Sequence, residues 1–483
     1  MARVLFVTHD GTSHEPLGLE YVSASLLRAG HQTKAAMQSK AIYTASDWGA
    51  DFVAFQVITG DQDRWSGVAQ ALKRALPRVR TVFGGPHFLF MNGKPGDKQT
   101  LLPGADLIVR GDGEVAILDA IEGRPWTDFK MILDLDSRAH PDRGLLYNDD
   151  FPGVKNNVIR NFISCQGCPY KCTYCFNSNE NWQKMIQEKR LRYHSPEWII
   201  EDIERTFKDY GGKLVSFQDD IFGIDLEWLE RFSRLYQKVR IPFFAQLRPR
   251  LITEDRVRLL KEAGIHIVSF AIESGNAKTR REFLDREEPN EIIERGCQLL
   301  HDYGIKFRMQ NMLGIPVENP LSDALETLRF NMKCRPTLSW CSLLQAYPGT
   351  AIAKKVVKMG LVKSEEDLMP LVNSTFFDES SLPIEGKRQI ERLQKYWSAV
   401  VRWPWLYSIV RVLIELDFGK GFTNWVFEKS KGYINAREYW RVDHMEKHVA
   451  IISHQQVHHG KDQPLDRLGG ELTRNPEKDN VCV

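Results

Sequence analysis

Cysteine is scarce in this chain, with eight in 483 residues. Small secreted domains stapled by disulfides use far more, which argues against a disulfide framework and for an intracellular, cytoplasmic protein. No sign of charge dominates: 65 Lys and Arg against 63 Asp and Glu leave a formal net charge of +2. That balance removes the electrostatic argument for nucleic acid as a partner. No uninterrupted apolar run reaches the ~20 residues needed to span a bilayer. Met1-Ala-Arg-Val-Leu-Phe-Val-Thr8 is too short for a signal peptide and reads as a first strand. Hydrophobic residues at 42% and charged residues at 27% are ordinary for a globular protein. The length predicts roughly two to four domains.

Three of the few cysteines stand together. The run Cys168-Pro-Tyr-Lys-Cys172-Thr-Tyr-Cys175-Phe176 spaces its thiolates by four and three residues, close enough to converge on one soft metal centre. A 4Fe-4S cluster has four irons, normally held by four Cys. Three ligands leave one iron open, as a catalytic metal site requires. The bland alternatives are a zinc knot or three unrelated buried thiols. The pattern with its trailing aromatic resembles the signature of the radical S-adenosylmethionine (SAM) enzymes. The resemblance implies that Cys168, Cys172 and Cys175 hold the cluster and that SAM occupies the open iron through its amino and carboxylate groups. Electron transfer then cleaves SAM to a 5′-deoxyadenosyl radical.

Residues 1–125 alternate strand-like and helix-like runs. Val4–Val7, Phe52–Val57, Thr81–Phe83 and Leu107–Val109 read as strands, and Leu19–Ala29 and Trp65–Ala75 as helices. Glycines cluster where strands should end, at Gly11, Gly60, Gly84-Gly85 and Gly111-Asp112-Gly113-Glu114. A doubly wound α/β domain binds ligands at the carboxyl ends of its strands, where glycine lets backbone approach closely. Composition leaves flavodoxin-like and Rossmann-like versions open. The ordered set Pro16-Leu17-Gly18-Leu19-Glu20-Tyr21, Gly30-His31, Gly84-Gly85-Pro86-His87 and Gly111-Asp112-Gly113-Glu114 is similar to the cobalamin-binding domain that precedes many radical SAM cores. That resemblance implies cobalamin contacts from Leu17, Gly18, Thr59, Gly60, Gly84, Gly85, Pro86, His87, Gly111, Gly113 and Glu114. One departure matters. The cobalamin domains of methionine synthase and the carbon-skeleton mutases carry Asp-x-His-x-x-Gly, whose His ligates cobalt from below. Here the loop after the first strand reads Thr8-His9-Asp10-Gly11-Thr12-Ser13-His14, without that spacing. Cobalamin is therefore expected without a His lower ligand from this motif. His9 and His14 read as solvated loop histidines, and His87, in its glycine-rich turn, as a corrin contact.

Residues 126–155 read as a linker in which Asp134, Asp136, Asp142, Asp149 and Asp150 sit among Pro and Gly. No periodic apolar face is evident, and an ordered strap remains open. Across residues 156–361, strand and helix alternate six times. The expected strands are Val158–Ile163, Leu214–Phe217, Phe243–Leu247, Ile265–Ile272, Lys306–Leu313 and Leu338–Leu344. The expected helices are Pro196–Tyr210, with Ser195 as N-cap and Gly211-Gly212 as stop, then Leu226–Val239, Thr253–Ala263, Asn290–Tyr303, Leu321–Cys334 and Thr350–Met359. Six such units make a partial parallel (β/α)6 barrel with its site at the carboxyl ends of the strands. Those ends carry Phe217-Gln218-Asp219-Asp220, Arg248-Pro249-Arg250, Ala271-Ile272-Glu273-Ser274-Gly275, Gly314-Ile315-Pro316-Val317-Glu318 and Tyr347-Pro348-Gly349-Thr350. These resemble the strand-end motifs of a radical SAM core. The resemblance implies that Phe176 backs the adenine, that Glu273 and Ser274 meet the ribose or amino acid part of SAM, and that Gly314 and Ile315 line the adenine. Gln218, Asp219, Arg248 and Tyr347 complete the implied SAM site. A carboxylate suits a ribose diol or an ammonium, and backbone amides suit adenine edges. The bland alternative for Asp219, Asp220 and Glu273 is a solvated acid or an ion-pair partner.

Cys165 is the awkward residue. It reads as a bystander that packs as a small apolar group. A thiol lining the cobalamin side and a fourth ligand in the absence of SAM are its alternatives. Cys297, Cys334 and Cys341 read as packing, and Cys482 falls in a polar tail. Residues 362–454 read as a helical cap closing the open side of the barrel. Its helix-like runs Ile390–Trp405 and Leu406–Leu416 are rich in aromatics and broken at Pro404. An interfacial surface reaching a lipid-like substrate is the alternative. Residues 455–483 are polar and read as disordered.

Together the motifs resemble the cobalamin-dependent radical SAM enzymes. The implied cofactors are a 4Fe-4S cluster, SAM and cobalamin, with a flavodoxin or ferredoxin as electron donor. The implied reaction is methylation of an unactivated carbon or a phosphorus centre on a small-molecule or lipid-like substrate. One SAM then methylates cobalamin and a second supplies the radical. Ring-forming relatives share the two domains and give the first alternative; a cobalamin or redox sensor gives the second.

Overall fold

The computed structural model describes residues 1–90, 102–124, 129–186, 191–368, 379–416 and 418–434. Five strands open the chain: β1 (Arg3–Thr8), β2 (Gln32–Met37), β3 (Phe52–Gln56), β4 (Arg80–Gly84) and β5 (Leu107–Ile108). They form one parallel sheet in the order β2-β1-β3-β4-β5. This is the flavodoxin-like order, and it puts the switch in winding direction between β1 and β3. Alternate residues of the strands feed two layers. Leu5, Val7, Val53 and Phe55 pack on the helices Ala41–Trp48 and Gln62–Ala75. Val4, Phe6, Phe52 and Ala54 pack on Leu17–Arg28 and Gly113–Ile121. β2 was not among the expected strands. It is a sheet edge, and its sequence Gln-Thr-Lys-Ala-Ala-Met has the polar character an edge tolerates.

The expected linker is an ordered strap over its described part. Leu135, Leu145, Leu146, Tyr147, Phe151 and Val154 are buried, and the last five join the core of the first domain. They are spaced irregularly because the segment turns through short 3₁₀ helices, so no period marks them in the sequence. Residues 125–128 lie outside the described residues.

The second sheet holds six parallel strands: β6 (Ile159–Phe162), β7 (Leu214–Phe217), β8 (Phe243–Leu247), β9 (Ile265–Glu273), β10 (Lys306–Leu313) and β11 (Leu338–Leu343). Each pairs with the next in sequence, giving the order β11-β10-β9-β8-β7-β6. This is the partial barrel the alternation predicted. Helix Pro196–Tyr210 begins where Ser195 accepts from the Trp198 amide and stops at Gly211. Among the described residues of the barrel, the helices Glu180–Ile186 and Ala277–Glu282 were not foreseen. Ala277–Glu282 follows a tight passage in which a Cβ on Gly275 would stand 2.7 Å from the Thr327 Cα.

The cap packs on the edge strand β11. From the helix Lys387–Arg402, Trp397 Nε1 donates to Ser339 Oγ at 2.7 Å and Ser398 Oγ to the Ser339 carbonyl at 2.7 Å. This helix ends at Arg402 and a 3₁₀ turn starts at Pro404, as the missing N–H of proline requires. A further helix, Gly419–Ile434, was not expected. Its Ile434 packs on Phe244, Ile267 and Leu338, near the amino ends of the barrel strands. No helix among the described residues is long and apolar enough to cross a membrane. The expected disordered tail at residues 455–483, with Cys482, lies outside the described residues.

Candidate active site

Asp219, at the end of β7, fixes the start of the cysteine loop. Its carboxylate accepts from the Ser164 amide at 2.7 Å, the Cys165 amide at 3.0 Å and the Ser164 hydroxyl. Burial pushes the Asp219 carboxyl up to about 7, against the pull of those hydrogen bonds. Asp219 therefore serves the loop directly. Cys165 is buried in a two-residue strand pair with Tyr193. Burial and the nearby Asp219 push its thiol up, the setting of an inert packing thiol.

Cys168, Cys172 and Cys175 follow on a loop that leaves Cys172 buried and the other two half-buried. Burial pushes the Cys168 thiol up to about 11 and the Cys175 thiol up to about 12. Both thiols must shed protons to bind a metal, so metal capture is coupled to proton release. Among the described residues no three His, Cys, Asp or Glu side chains are grouped to hold a single metal ion. The cysteines of a 4Fe-4S cluster each bind a different iron, so three of them need not meet at a single point.

A web of charge walls the loop. Arg248 Nη1 donates to Cys172 Sγ at 3.6 Å, and its guanidinium lies 3.6 Å from the centroid of the Tyr170 ring. Glu288, 2% exposed, grips the same guanidinium through both oxygens. Arg286 sits 3.9 Å from Glu288 and donates to the Tyr174 hydroxyl at 2.9 Å. That hydroxyl donates onward to Glu273 at 2.7 Å. Burial raises the Glu273 carboxyl, opposed by Arg286 and the Tyr174 hydrogen bond. Glu273 also holds a left-handed φ of 67°, a strained backbone for a residue with a Cβ. Of the residues expected to meet SAM, Glu273 and Arg248 therefore join the cysteine loop in one network. Tyr170, Tyr174, Arg286 and Glu288 had not been singled out.

The remaining expected SAM residues are placed as follows. Ser274 is fully buried, its hydroxyl within 3.1 Å of Asp323. Ile315 is core. Gly314 has a φ of 76°, and a Cβ there would stand 3.1 Å from Ile384 of the cap. Phe176 is half-buried against Trp182. Tyr347 is half-buried, and burial raises its phenol. Gln218 is exposed and donates to Asn161 at 3.0 Å. Asp220 is exposed, and burial by the surrounding protein raises its carboxyl.

Below the mouth, alternate strand residues form a polar wall across β8, β9, β10 and β11. Gln310 donates to Gln246 at 3.3 Å and to Ser269 at 3.0 Å, and Arg308 Nε donates to Ser269 at 3.0 Å. The Arg308 guanidinium lies 5.0 Å from the Phe244 ring centroid and 5.8 Å from that of Trp340. The other face of β10 gives Phe307 and Met309 to the core. Interior and exterior residues alternate in a barrel, so this wall lines the lumen. It, too, was missed. The signal was present in Lys306-Phe-Arg-Met-Gln310, whose polar residues alternate within an otherwise buried strand.

The expected cobalamin residues lie at the carboxyl ends of the first sheet. Gly85, with φ 106°, would bring a Cβ to 2.8 Å from the Val57 carbonyl, so only glycine fits between the carboxyl ends of β3 and β4. Thr59 and His87 are bonded at 3.1 Å there, and burial pushes the His87 imidazole down to about 4. Such a cradle of bare backbone with neutral side chains fits a large planar ligand. His9 is not the solvated histidine expected: it lies 3.0 Å from Asp61, and its ring sits tilted against Trp65 with centroids 4.6 Å apart. His14 is exposed. Gly18 crowds Gln56, and a Cβ on Gly113 would meet Val22 at 3.0 Å. Leu17 and Glu114 are turned to structural work. Leu17 joins the barrel core, and Glu114 pairs with Arg138 at 3.2 Å. Asp112, after β5, pairs with Arg192, which donates to Gln166 at 2.8 Å, two residues before Cys168. One hydrogen-bonded link therefore joins the strand ends of the first sheet to the cysteine loop.

Comparison with known proteins agrees with this layout. The family model for the B12 binding domain matches residues 3–121, and that for the radical SAM superfamily matches residues 162–330. An uncharacterized methyltransferase of Pyrococcus horikoshii is 28% identical over 385 residues, covering 73% of this chain and 80% of that protein. The cytidylyl-2-hydroxyethylphosphonate methyltransferase of Streptomyces wedmorensis is 21% identical, again covering 73% and 80%. The hopanoid C-3 methylase of Methylococcus capsulatus is 25% identical, covering 70% and 67%. Among solved structures, the radical SAM methyltransferase TsrM of Kitasatospora setae, with tryptophan substrate and a SAM analog bound, shares the fold. It covers 74% of this chain and 77% of TsrM, with a TM-score of 0.61 at 15% identity.

Proposed function

We propose methyl transfer as the reaction of this chain, which belongs to the cobalamin-dependent radical SAM enzymes. Its cofactors are a 4Fe-4S cluster, SAM and cobalamin. When bound, these groups supply a 5′-deoxyadenosyl radical and a transferable methyl group. Cys168, Cys172 and Cys175 hold the cluster, and Arg248 steadies Cys172 by its N–H···S contact. Glu273, tied to the cysteine loop through Tyr174, and the backbone at Gly314 and Ile315 frame SAM beside Phe176. The glycine turn at Gly84 and Gly85, with Gly18, Thr59, Gly60 and His87, cradles cobalamin. Gln246, Ser269, Arg308, Gln310 and Trp340 line the substrate chamber and keep it polar. The acceptor is a small or lipid-like molecule with an unactivated carbon or a phosphorus centre. Support for that range comes from the phosphonate and hopanoid substrates named for two relatives. An electron donor of flavodoxin or ferredoxin type in the cytoplasm completes the reading.

One observation supports the proposal: Arg192 ties Asp112, after the last strand of the first sheet, to Gln166 at the start of the cysteine loop. A methyl donor and a radical source must serve the same substrate atom, and a direct tie between the two domains suits that need. The test is the ratio of S-adenosylhomocysteine to 5′-deoxyadenosine during turnover. Methyl transfer yields both in a ratio near one. Abundant 5′-deoxyadenosine without S-adenosylhomocysteine would assign the chain to the ring-forming enzymes instead.

A further inference from the structure

In a helix that covers a core, apolar residues three and four apart face inward. The stretch over residues 404–416 obeys this with Val410 and Ile414. It carries a second stripe at helical spacing, Trp405, Ile409, Val412 and Leu416, and every member is exposed, Trp405 to 70%. The following stretch repeats the pattern with Phe418, Phe422 and Trp425. Their rings meet in sequence, with centroids 5.7 and 6.2 Å apart. Single exposed apolar residues are ordinary, but seven in two successive stripes are not. Exposed Arg411, Lys420 and Lys429 stand among them, Lys420 also pairing with Glu379. The exposed acid among the described residues of these helices is Glu415.

We propose that this patch is a membrane-docking face that lies in the headgroup region of an anionic bilayer. Trp and Phe on one side with Arg and Lys beside them fit a helix that rests in the interface. The described helices are too short or too polar to cross, so the face lies on the bilayer and does not span it. A second copy of the chain is a poorer occupant. A two-fold contact sets the same patch against itself and would bring Arg411, Lys420 and Lys429 together with their own copies. The docking face belongs to the cap that packs on β11, so it would hold the barrel beside the bilayer. This inference stands independently of the reaction type.

The test uses the full chain and phosphatidylcholine vesicles with or without phosphatidylglycerol, separated by flotation. The expected result is flotation with phosphatidylglycerol vesicles alone, weakened by salt. Trp405→Ser with Trp425→Ser should weaken partitioning by about tenfold or more. Arg411→Gln with Lys429→Gln should weaken it by about tenfold, and keeps the test sharp if the tryptophan variant misfolds. SAM cleavage should be unchanged in both. No flotation with either vesicle overturns the proposal, as does flotation that neither variant weakens. Dimerisation in sedimentation equilibrium, abolished by the tryptophan variant and without flotation, would overturn it too and assign the patch to a second copy.

Discussion

The barrel mouth and the C-terminal cap distribute polarity in opposite ways. The mouth buries charge: Arg248, Glu288, Arg286 and Glu273 are each less than a tenth exposed and bound to one another. The cap turns tryptophan and phenylalanine outward. Burying a charge costs several kcal/mol unless it is well paired, and a broad apolar surface in water favours whatever covers it. Neither choice is explained by stability, so each points to a task. The mouth holds reactive groups in fixed geometry, and the cap decides where the enzyme sits. Substitutions at the mouth should therefore change cofactor binding and folding, and those on the cap face should change neither, only where the protein docks.

The largest effect is expected at the cysteines. Cys168→Ala, Cys172→Ala or Cys175→Ala leaves two protein ligands, so reconstituted protein should lose its cluster and all SAM cleavage. Cys165→Ala should retain about four irons and four sulfides per chain, because Cys165 packs against Tyr193 outside the ligand set. Iron and sulfide analysis decides it: a Cys165 variant without cluster beside a Cys168 variant with one would overturn the assignment.

Next comes the charge web. Glu288→Gln leaves Arg248 and Arg286 without their shared carboxylate, and breaking a buried pair costs about 3 kcal/mol or more. Its thermal midpoint should fall by several degrees. Glu262→Gln, which breaks the exposed pair with Arg258 at 2.9 Å, should cost about 0.5 kcal/mol or less. Equal losses in the two variants would remove the contrast between buried and exposed charge. Arg248→Gln should also shift the cluster's midpoint potential to more negative values, since hydrogen bonds to cluster sulfurs help set it. An unchanged potential in a redox titration would reduce Arg248 to a packing role.

Much of this architecture was legible from local pattern. β7, β8 and β10 have the predicted limits, since each is a short apolar run closed by a strand-end motif. Helix Pro196–Tyr210 was marked at both ends by Ser195 and Gly211. β2 was missed because an edge strand needs little apolar pattern. Arg286 and Glu288 were missed for another reason. Asp285-Arg286-Glu287-Glu288 looks like a solvated charge run, and in fact alternates exposed with buried residues. Which of the four turn inward depends on Tyr174 and Arg248, distant in sequence, so no local signal marks them. Ser274 and Asp219 carried family motifs, yet their side chains are engaged by Asp323 and by Ser164.

A smaller effect should appear on acidification. Burial, aided by Arg138, pushes the His194 imidazole down to about 4, against about 6.5 when unfolded. The unfolded chain thus takes up a proton that the folded chain refuses. The stability of neutral His194 is lost as pH falls from about 6.5 towards 4, by about 3 kcal/mol at most. Asp219 works the other way. Its carboxyl is raised to about 7, so its proton uptake on folding adds stability as pH falls below 7. The net slope is a difference of two opposed terms, and a His194→Gln variant isolates one of them. Urea unfolding at about pH 7 and about pH 5 should show wild type losing more stability than the variant. Equal losses would mean that His194 titrates normally.

The smallest effect is expected where a large residue is most visible. Trp405→Ser removes the largest exposed ring of the cap, 70% of it open to solvent. Inside a core the loss of a tryptophan costs about 3–5 kcal/mol, but that cost comes from contacts and transfer that this side chain mostly lacks. The expected change in unfolding free energy is about 0.5 kcal/mol or less, with cluster content and SAM cleavage unaltered. The neighbouring Trp397 is the control. It is 1% exposed and donates to Ser339 at 2.7 Å, so Trp397→Ser should cost several kcal/mol. If Trp405→Ser were instead as damaging as Trp397→Ser, the outward stripe would be part of the fold, and the division between a working mouth and a docking cap would fail.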